Sequence, residues 1–230
     1  WGKLNLKKVA KETVASLILT ILSAVCFIYF FYSFNIIGLV GIVLSFWIIS
    51  NLLINFLYNI KIKDNSKLNF IKNFNAMKIA HFGVALLILG ITASSIWQEE
   101  NIIRMKINDE TTINNYKIML KEINEVEGPN YVGVEGNFYV FNKKKHFVTN
   151  LKPQNRIYLA TSNTTSEVSI HTNLIRDLYI VLGDNDLNNG WVVRIYYNPL
   201  VIWIWIGVGI ISLGGIIALI NNFKILIIRD

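Results

Sequence analysis

Histidine has the widest chemical range of any residue type in this sequence, and it occurs three times, as His81, His146 and His171. His81 lies near the start of a long apolar run, residues 76–97. A titratable side chain inside such a run is costly unless it has a partner or a function. A neutral imidazole there could be an axial ligand to a heme iron, a hydrogen-bonding residue between helices, or a proton carrier.

Two features of the predicted spans help to choose among these roles of His81. Small residues at Gly83, Ala85 and Gly90 narrow the predicted helix, which we expect to leave room for a flat macrocycle. The predicted spans contain no Asp or Glu that could pass a proton on, so a relay is the weaker interpretation. These two features favour the metal-ligand interpretation without excluding a packing role.

The other histidines and the single cysteine have simpler interpretations. His146 follows three lysines in a predicted turn and is expected to be a solvated turn residue, whereas His171 is expected to have a surface or hydrogen-bonding role. The three histidines lack the close spacing of a zinc site. Cys26, the only cysteine, lies in an apolar run, so no internal disulfide is possible.

The charged residues outside the apolar runs give little indication of catalysis. Asp184 and Asp186 lie in a predicted turn and are not expected to form a catalytic carboxylate pair. Arg104, Arg176 and Arg194 could bind carboxylates such as heme propionates, but we expect ordinary surface arginines. The sequence contains no HExxH, GxSxG, Walker A or GxGxxG motif.

Composition places the chain in a membrane. The 230 residues are 53% hydrophobic and have a mean hydropathy of +0.44, which is too apolar for an ordinary soluble domain. The net charge is +7, but several lysines flank apolar runs. The charge therefore indicates membrane topology, and we expect a membrane partner and no nucleic acid.

Four apolar runs are each long enough to cross a bilayer, which takes roughly 20 helical residues. They occupy residues 13–34, 36–57, 76–97 and 199–220. The first two are separated by a brief polar break, so residues 1–58 are predicted to form a transmembrane hairpin. Residues 59–75 form a basic segment that is either an interfacial amphipathic helix or a linker. Residues 221–230 form a basic tail.

Residues 98–198 contain no span and alternate short apolar runs with turn signals. Six strands are predicted, over 116–120, 137–141, 147–151, 156–160, 178–182 and 191–197. Asn-Gly at 189–190, between two of these runs, is a strong hairpin signal. The predicted fold is an α-helical integral membrane protein with four spans and an antiparallel β domain, a sandwich or partial barrel, between the third and fourth spans.

Lysine distribution predicts the orientation. The N-terminal segment, the 59–75 segment and the tail are basic, so they are expected on the inner side of the membrane. The β domain then lies outside. His81 lies about one turn inside the inner face, roughly 20 Å or more from the outer domain at 1.5 Å per residue.

Several segments, in matching order, resemble the C-terminal part of the CcmF family, the heme lyase subunit of the cytochrome c maturation system. The segments are AHFGVALLILGITASS (80–95), ENIIRM (100–105), VEGPNY (126–131), RIYLATSNTTSEVSI (156–170), RDLYIVLG (176–183), WVVRIYYNPLVIWIWIG (191–207) and LGG (213–215). Residues 1–75 fit the family mainly by hydropathy.

The resemblance implies a function outside the membrane and a cofactor within it. In this family, heme from a CcmE-like chaperone is attached to the CxxCH thiols of apocytochrome c, with a CcmH-like protein handling the thiols. A resident b-type heme lies among the membrane helices. His81 falls on the family's C-terminal transmembrane histidine, one axial ligand of that heme.

Departures from the family limit what this chain is expected to do alone. The tryptophan-rich WWD segment, its two flanking histidines and the partner transmembrane histidine are absent, and neither His146 nor His171 replaces them. We expect an N-terminal CcmF-like chain to supply them, as in split-gene forms, and we expect no ligation by this chain alone.

The expected location is the mitochondrial inner membrane, with the bacterial inner membrane as the alternative and no cleaved signal peptide. The β domain would lie in the intermembrane space or periplasm. Two rival functions stay open: a membrane assembly scaffold, and a respiratory-complex subunit without a heme site.

Overall fold

The computed structural model describes residues 6–31, 34–62, 76–186 and 189–227. The chain forms two units, a helical unit up to Trp97 and from Leu200, and a β unit over Gln98–Pro199. The predicted amphipathic segment falls largely on residues 63–75, and the end of the basic tail on 228–230. Both of these lie outside the described residues.

The described part of the helical unit contains four helices, each long and apolar enough to cross a membrane. They are α1 (Leu6–Phe31), α2 (Ile36–Ile62), α3 (Ala76–Ile96) and α4 (Val201–Ile227). The start of α2 is capped by Asn35, whose Oδ1 accepts hydrogen bonds from the Ile37 N–H at 2.9 Å and the Gly38 N–H at 3.0 Å. The predicted four helices, with the β domain between the third and fourth, are confirmed.

Close backbone approach holds α3 against α4. A Cβ placed on Gly83 would lie 2.7 Å from the Gly207 carbonyl oxygen, and a Cβ on Gly207 would lie 2.7 Å from the Gly83 carbonyl oxygen. On the α2 side, the buried Ser45 hydroxyl donates to the Ala85 carbonyl at 2.7 Å. The expectation that these small residues leave room for a macrocycle is wrong, because neighbouring helices fill that space.

The β unit contains ten strands in two antiparallel sheets. The strands are β1 (Glu99–Met105), β2 (Glu110–Ile113), β3 (Tyr116–Glu127), β4 (Tyr131–Asn142), β5 (Phe147–Leu151), β6 (Gln154–Tyr158), β7 (Thr164–Glu167), β8 (Ser169–Thr172), β9 (Arg176–Asp186) and β10 (Gly190–Pro199). One sheet has the order β1-β10-β9-β8. The other has the order β2-β3-β4-β6-β7, and β5 pairs with β4.

Large apolar side chains fill the space between the two sheets. Alternate residues of β9 are buried, from Arg176 through Leu178 and Ile180 to Leu182, as expected for a strand with one face on a core. Phe138 on β4 and Leu120 on β3 meet them from the other sheet, and all of these apolar side chains are fully buried. This core is the interior of a β sandwich.

Candidate functional site

His81 lies on the exposed surface of α3, one turn from the helix start. Its Nδ1 is 2.7 Å from the Met77 carbonyl oxygen, four residues earlier. A carbonyl oxygen can only accept a hydrogen bond, so Nδ1 carries the proton. The Nε2 lone pair of the neutral ring is therefore free, in the arrangement typical of histidines that ligate metals.

His81 lines an open groove of about 450 Å³ between α1, α2 and α3. Apolar side chains on the groove are Trp47, Ile48, Leu52, Ile54 and Met77, and polar ones are Glu12, Ser16, Asn51, Asn55 and Lys78. The groove is within the usual size range of small-molecule sites. An imidazole with a free lone pair thus faces a partly apolar space large enough for a ligand.

The groove contains a carboxylate that the sequence analysis did not associate with His81. Because α1 begins at Leu6, before the predicted span, Glu12 lies on the helix and lines the groove. The Ser16 hydroxyl, one turn later, is buried and has no hydrogen-bond partner among the described residues. The i, i+4 spacing of Glu12 and Ser16 was the signal that could have placed both on one face.

The donor set fits a heme better than a bare metal ion. The described residues contain no group of three or more His, Cys, Asp or Glu side chains that could hold a metal ion. A heme brings four nitrogen ligands and needs only one or two axial ligands from protein. The free Nε2 of His81 can supply one of these, so the residues present fit one side of a heme site.

His171 has the opposite hydrogen-bonding state. Its Nδ1 lies 2.9 Å from Nη1 of Arg176, which can only donate, so Nδ1 is the acceptor and Nε2 carries the proton. Partial burial, and then the Arg176 charge, lower the pKa of His171 below its usual value. The prediction of a hydrogen-bonding role is confirmed, and the protonated Nε2 does not suit metal ligation.

Arg176 is not the surface residue that the sequence suggested. Only 1% of it is exposed, because it begins the inward-facing row of β9. Its Nη1 donates to the His171 carbonyl at 2.7 Å, and its guanidinium carbon lies 4.3 Å from the centre of the Tyr116 ring. Nε and Nη2 have no hydrogen-bond partner among the described residues.

The remaining candidates are exposed and engaged locally. Arg104 pairs with Asp186, and Arg194 is exposed, as expected of surface arginines. Asp184 accepts a hydrogen bond from Asn155 at 3.2 Å. His146 is exposed in the β4–β5 turn, as predicted, and among the described residues it belongs to no group of three or more side chains that could hold a metal ion.

Comparison with known proteins gives consistent similarities. Residues 96–199 match the family model described as the CcmF C-terminal beta-sandwich. The chain is 34% identical over 162 residues to a cytochrome c-type biogenesis protein CcmF of Escherichia coli, covering 70% of this chain and 25% of that protein. It is 32% identical over 151 residues to the CcmF of Pseudomonas aeruginosa, covering 66% of this chain and 23% of that one.

A solved structure of similar fold extends the comparison to most of the chain. The structure is titled cytochrome c heme lyase CcmF, and it superposes with a TM-score of 0.68 at 14% identity. The match covers 94% of this chain and 35% of that one. The chain therefore spans about a quarter of the length of the sequence relatives and about a third of the structural relative.

Proposed function

This chain is a CcmF-like C-terminal region, and on that premise we propose that it forms part of a cytochrome c heme lyase and holds one side of a b-type heme. His81 would be an axial ligand to the heme iron. The rest of the lyase, which carries the larger part of the CcmF relatives' length, would supply the other ligand and the segment that handles the incoming heme.

The observation that carries this proposal is the state of the His81 ring. Its proton is held on Nδ1 by the Met77 carbonyl, and the residue lines the groove. A bond between the ring and its own helix fixes the ring orientation before any ligand arrives. Bound heme would supply electron-transfer chemistry, and His81 would be one of the residues that hold it.

The proposed partners and location are those that the resemblance to the CcmF family implies. We propose that the complete lyase transfers heme from a CcmE-like chaperone to the CxxCH motif of apocytochrome c, together with a CcmH-like thiol-handling protein. The β unit, in the intermembrane space or periplasm, would position the apocytochrome or that thiol-handling partner. The membrane would be the mitochondrial inner membrane or, alternatively, the bacterial inner membrane.

Optical spectroscopy of His81 variants tests the heme proposal. The chain is co-expressed with the N-terminal part of a CcmF-like lyase, purified, and recorded as reduced-minus-oxidised spectra. We expect a b-type band in the wild-type complex and its loss in His81→Ala. His81→Gly with added imidazole should restore the band, because free imidazole can occupy the vacated ligand position.

His171→Ala and His146→Ala serve as matched controls and should keep the band at wild-type intensity. A band that persists undiminished in His81→Ala would show that another residue ligates the iron. If an assembled wild-type complex contains no heme, the scaffold interpretation replaces the heme site. Co-purification of the two parts, measured for each variant, separates loss of heme from loss of assembly.

A further inference from the structure

One end of the β sandwich carries both connections to the apolar helices. β1 begins at Glu99, close after the end of α3, and β10 ends at Pro199, two residues before α4 begins at Val201. The two strands pair, with Glu99 opposite Tyr197. We call this the span-proximal end, and the opposite end, at the β3–β4 turn over 128–130, the far end.

Two further turns lie at the span-proximal end. The Tyr116 ring is 6.3 Å from the Tyr197 ring and 4.3 Å from the Arg176 guanidinium carbon, which ties the start of β3 to this end. Tyr116 pairs with Asn142, where the β4–β5 turn begins. Arg176 pairs with Pro199 and directly follows the β8–β9 turn. The turns over 142–146 and 173–175 are therefore both span-proximal.

The first of these turns displays three lysines on a fixed backbone. Asn142 Oδ1 accepts the N–H groups of Lys144 at 2.9 Å and His146 at 3.0 Å. Lys143, Lys144 and Lys145 are all exposed. None of the ion pairs among the described residues includes any of these lysines. Three uncompensated cations are thus presented together with little backbone freedom to lose.

The second turn displays apolar side chains in the same manner. Asn173 Oδ1 accepts the N–H groups of Ile175 at 2.8 Å and Arg176 at 2.9 Å. Leu174 is 63% exposed and Ile175 is 56% exposed. Phe147, which directly follows the lysine turn, is 58% exposed. Both turns are shaped by an asparagine side chain, and both hold their side chains outward.

We propose that these six residues, Lys143, Lys144, Lys145, Phe147, Leu174 and Ile175, form a surface that binds the anionic headgroup layer of the bilayer. The lysines would pair with lipid phosphates, and the apolar side chains would enter the interface between headgroups and acyl chains. Fixed cations and fixed apolar side chains at the same end of the sandwich are complementary to that layer, which is negative outside and apolar within.

The bilayer is the favoured occupant because of strand connectivity. β9 carries Arg176 at its start and lies next to β10, about 4.8 Å away, which is the usual spacing of paired strands. The residues after Pro199 form an apolar helix long enough to cross the membrane. Within the β unit, the Leu174 turn is thus only one strand away from the strand that continues into that helix.

The far end provides an internal contrast. Leu159 there is 63% exposed, the same fraction as Leu174, and its N–H donates to the Asn130 carbonyl in the β3–β4 turn. The exposed charged side chains beside that turn include the carboxylates of Glu125 and Glu127. Because no lysines are adjacent to the exposed Leu159, we do not expect the far end to bind an anionic surface.

Lipid quenching of site-specific probes in nanodiscs tests the proposal. The full chain, in a Cys26→Ser background, carries one fluorophore on Leu174→Cys, Leu159→Cys or Asn115→Cys. The discs contain phosphatidylcholine with phosphatidylglycerol and a spin label in the upper acyl chain. We expect strong quenching at Leu174→Cys and none at Leu159→Cys. Asn115 is an exposed polar residue in the span-proximal β2–β3 turn, and a fluorophore at this position should be quenched only by a spin label in the headgroup.

The lysines are tested with the triple variants K143Q/K144Q/K145Q and K143R/K144R/K145R. Each lysine near an anionic surface should change the docked-to-undocked ratio by about fivefold, so the glutamine variant should lose up to about 100-fold. The arginine variant should keep the quenching, and discs of phosphatidylcholine alone should resemble the glutamine variant.

Three results would overturn the proposal, and none depends on heme occupancy. The first is equal quenching at Leu174→Cys and Leu159→Cys. The second is quenching at Leu174→Cys that is unaffected by headgroup charge and by the glutamine variant. The third is protection of Leu174→Cys from a water-soluble quencher without lipid quenching, which would assign the surface to a protein partner. Hydrogen exchange of β9 amides in each variant confirms that the sandwich stays folded.

Discussion

The helical unit and the β unit differ in the sizes of the residues that they bury. The buried residues of α3 are mostly small, including Gly83, Ala85 and Gly90, whereas large side chains such as Leu22 and Trp205 on α1 and α4 are exposed. In the β unit the fully buried side chains are the large apolar ones of the two facing sheets. Each unit is therefore built for a different solvent.

The difference teaches where the cohesion of each unit comes from. Lipid is as apolar as leucine, so helices gain from close packing and hydrogen bonds rather than from burying apolar surface. The sandwich instead gains from apolar area removed from water, roughly 25 cal/mol per Å². The acidic residues also differ between the units. The β unit contains 12 of the 15 Asp and Glu, whereas the 22 Lys and Arg are divided equally, 11 of them in the β unit.

The histidines that form side-chain hydrogen bonds, His81 and His171, also differ between the two units. His81, in the helical unit, donates from Nδ1 to its own helix and leaves Nε2 free at the surface. His171, in the β unit, accepts at Nδ1 from a buried arginine and carries its proton on Nε2. The ring that can accept a ligand lies on the exposed surface of a helix, and the ring in the β unit is partly buried and hydrogen-bonded to Arg176.

The largest loss of stability is expected from Gly83→Leu, which tests close packing as the source of cohesion in the helical unit. Its Cβ would approach the Gly207 carbonyl within 2.7 Å, so α3 and α4 must separate. We expect a loss of about 1–3 kcal/mol, measured as a lower midpoint of thermal unfolding in detergent. Gly209→Leu, on the same pair of helices, has no atom within 4 Å of its Cβ and should be nearly neutral.

Equal effects of these two leucines would contradict close backbone approach as the source of helix cohesion. Hydrogen exchange in the β unit provides a second readout in the same samples. Because the two units have separate interiors, protection of β9 amides should not change in Gly83→Leu.

Hydropathy and turn chemistry predicted the helical unit better than the sandwich. Four spans and their order follow from apolar runs alone. The strands β1, β2, β7 and β8 were missed, because segments such as Thr164–Glu167 are polar and show no alternation. Polar strands are specified by their partners across the sheet, such as the pairing of Thr164 with Ile157, which a local pattern does not reveal.

The candidate site was predictable only in part. An apolar run with one histidine identified His81, but the Met77 carbonyl that fixes its tautomer is a backbone group and has no sequence signal. Burial of Arg176 was missed because arginine is rarely buried and its inward position depends on the register of β9. Glycines near His81 were assigned to a ligand, whereas α4 occupies that space.

A smaller effect is expected from Arg176→Met, which tests whether apolar burial dominates the sandwich. The guanidinium is 1% exposed, and Nε and Nη2 have no partner among the described residues. Each unsatisfied buried donor costs about 1–3 kcal/mol. We expect the cost of the two unpaired donors to exceed the contribution of the Nη1 hydrogen bonds to His171 and of the Tyr116 contact, so that a methionine of similar length should stabilise the β unit by about 1–2 kcal/mol. Hydrogen exchange of β9 amides should slow by about tenfold, which corresponds to 1.4 kcal/mol.

Arg104→Met is the matched control, because Arg104 is exposed and its pair with Asp186 should contribute less than about 1 kcal/mol. Destabilisation by Arg176→Met beyond that of the control would break the comparison. It would show that the Nη1 hydrogen bonds to His171 and the contact with the Tyr116 ring outweigh the cost of burying Nε and Nη2 without partners.

The smallest effect is the pH dependence that His171 gives to the β unit. Burial and the Arg176 charge lower the pKa of His171 in the folded state, so the unfolded chain binds a proton more readily. Stability should therefore fall as pH falls through the unfolded value, about 6.5, and the loss is complete below the folded pKa. Protection of β8 and β9 amides, corrected for intrinsic exchange, should decrease between pH 7 and pH 5.

His171→Gln should remove this dependence on pH, and His146→Gln, in the exposed turn, should keep it. An unchanged slope in His171→Gln would mean that another group titrates on unfolding, and it would remove the argument that the Arg176 hydrogen bond commits this ring to its neutral form.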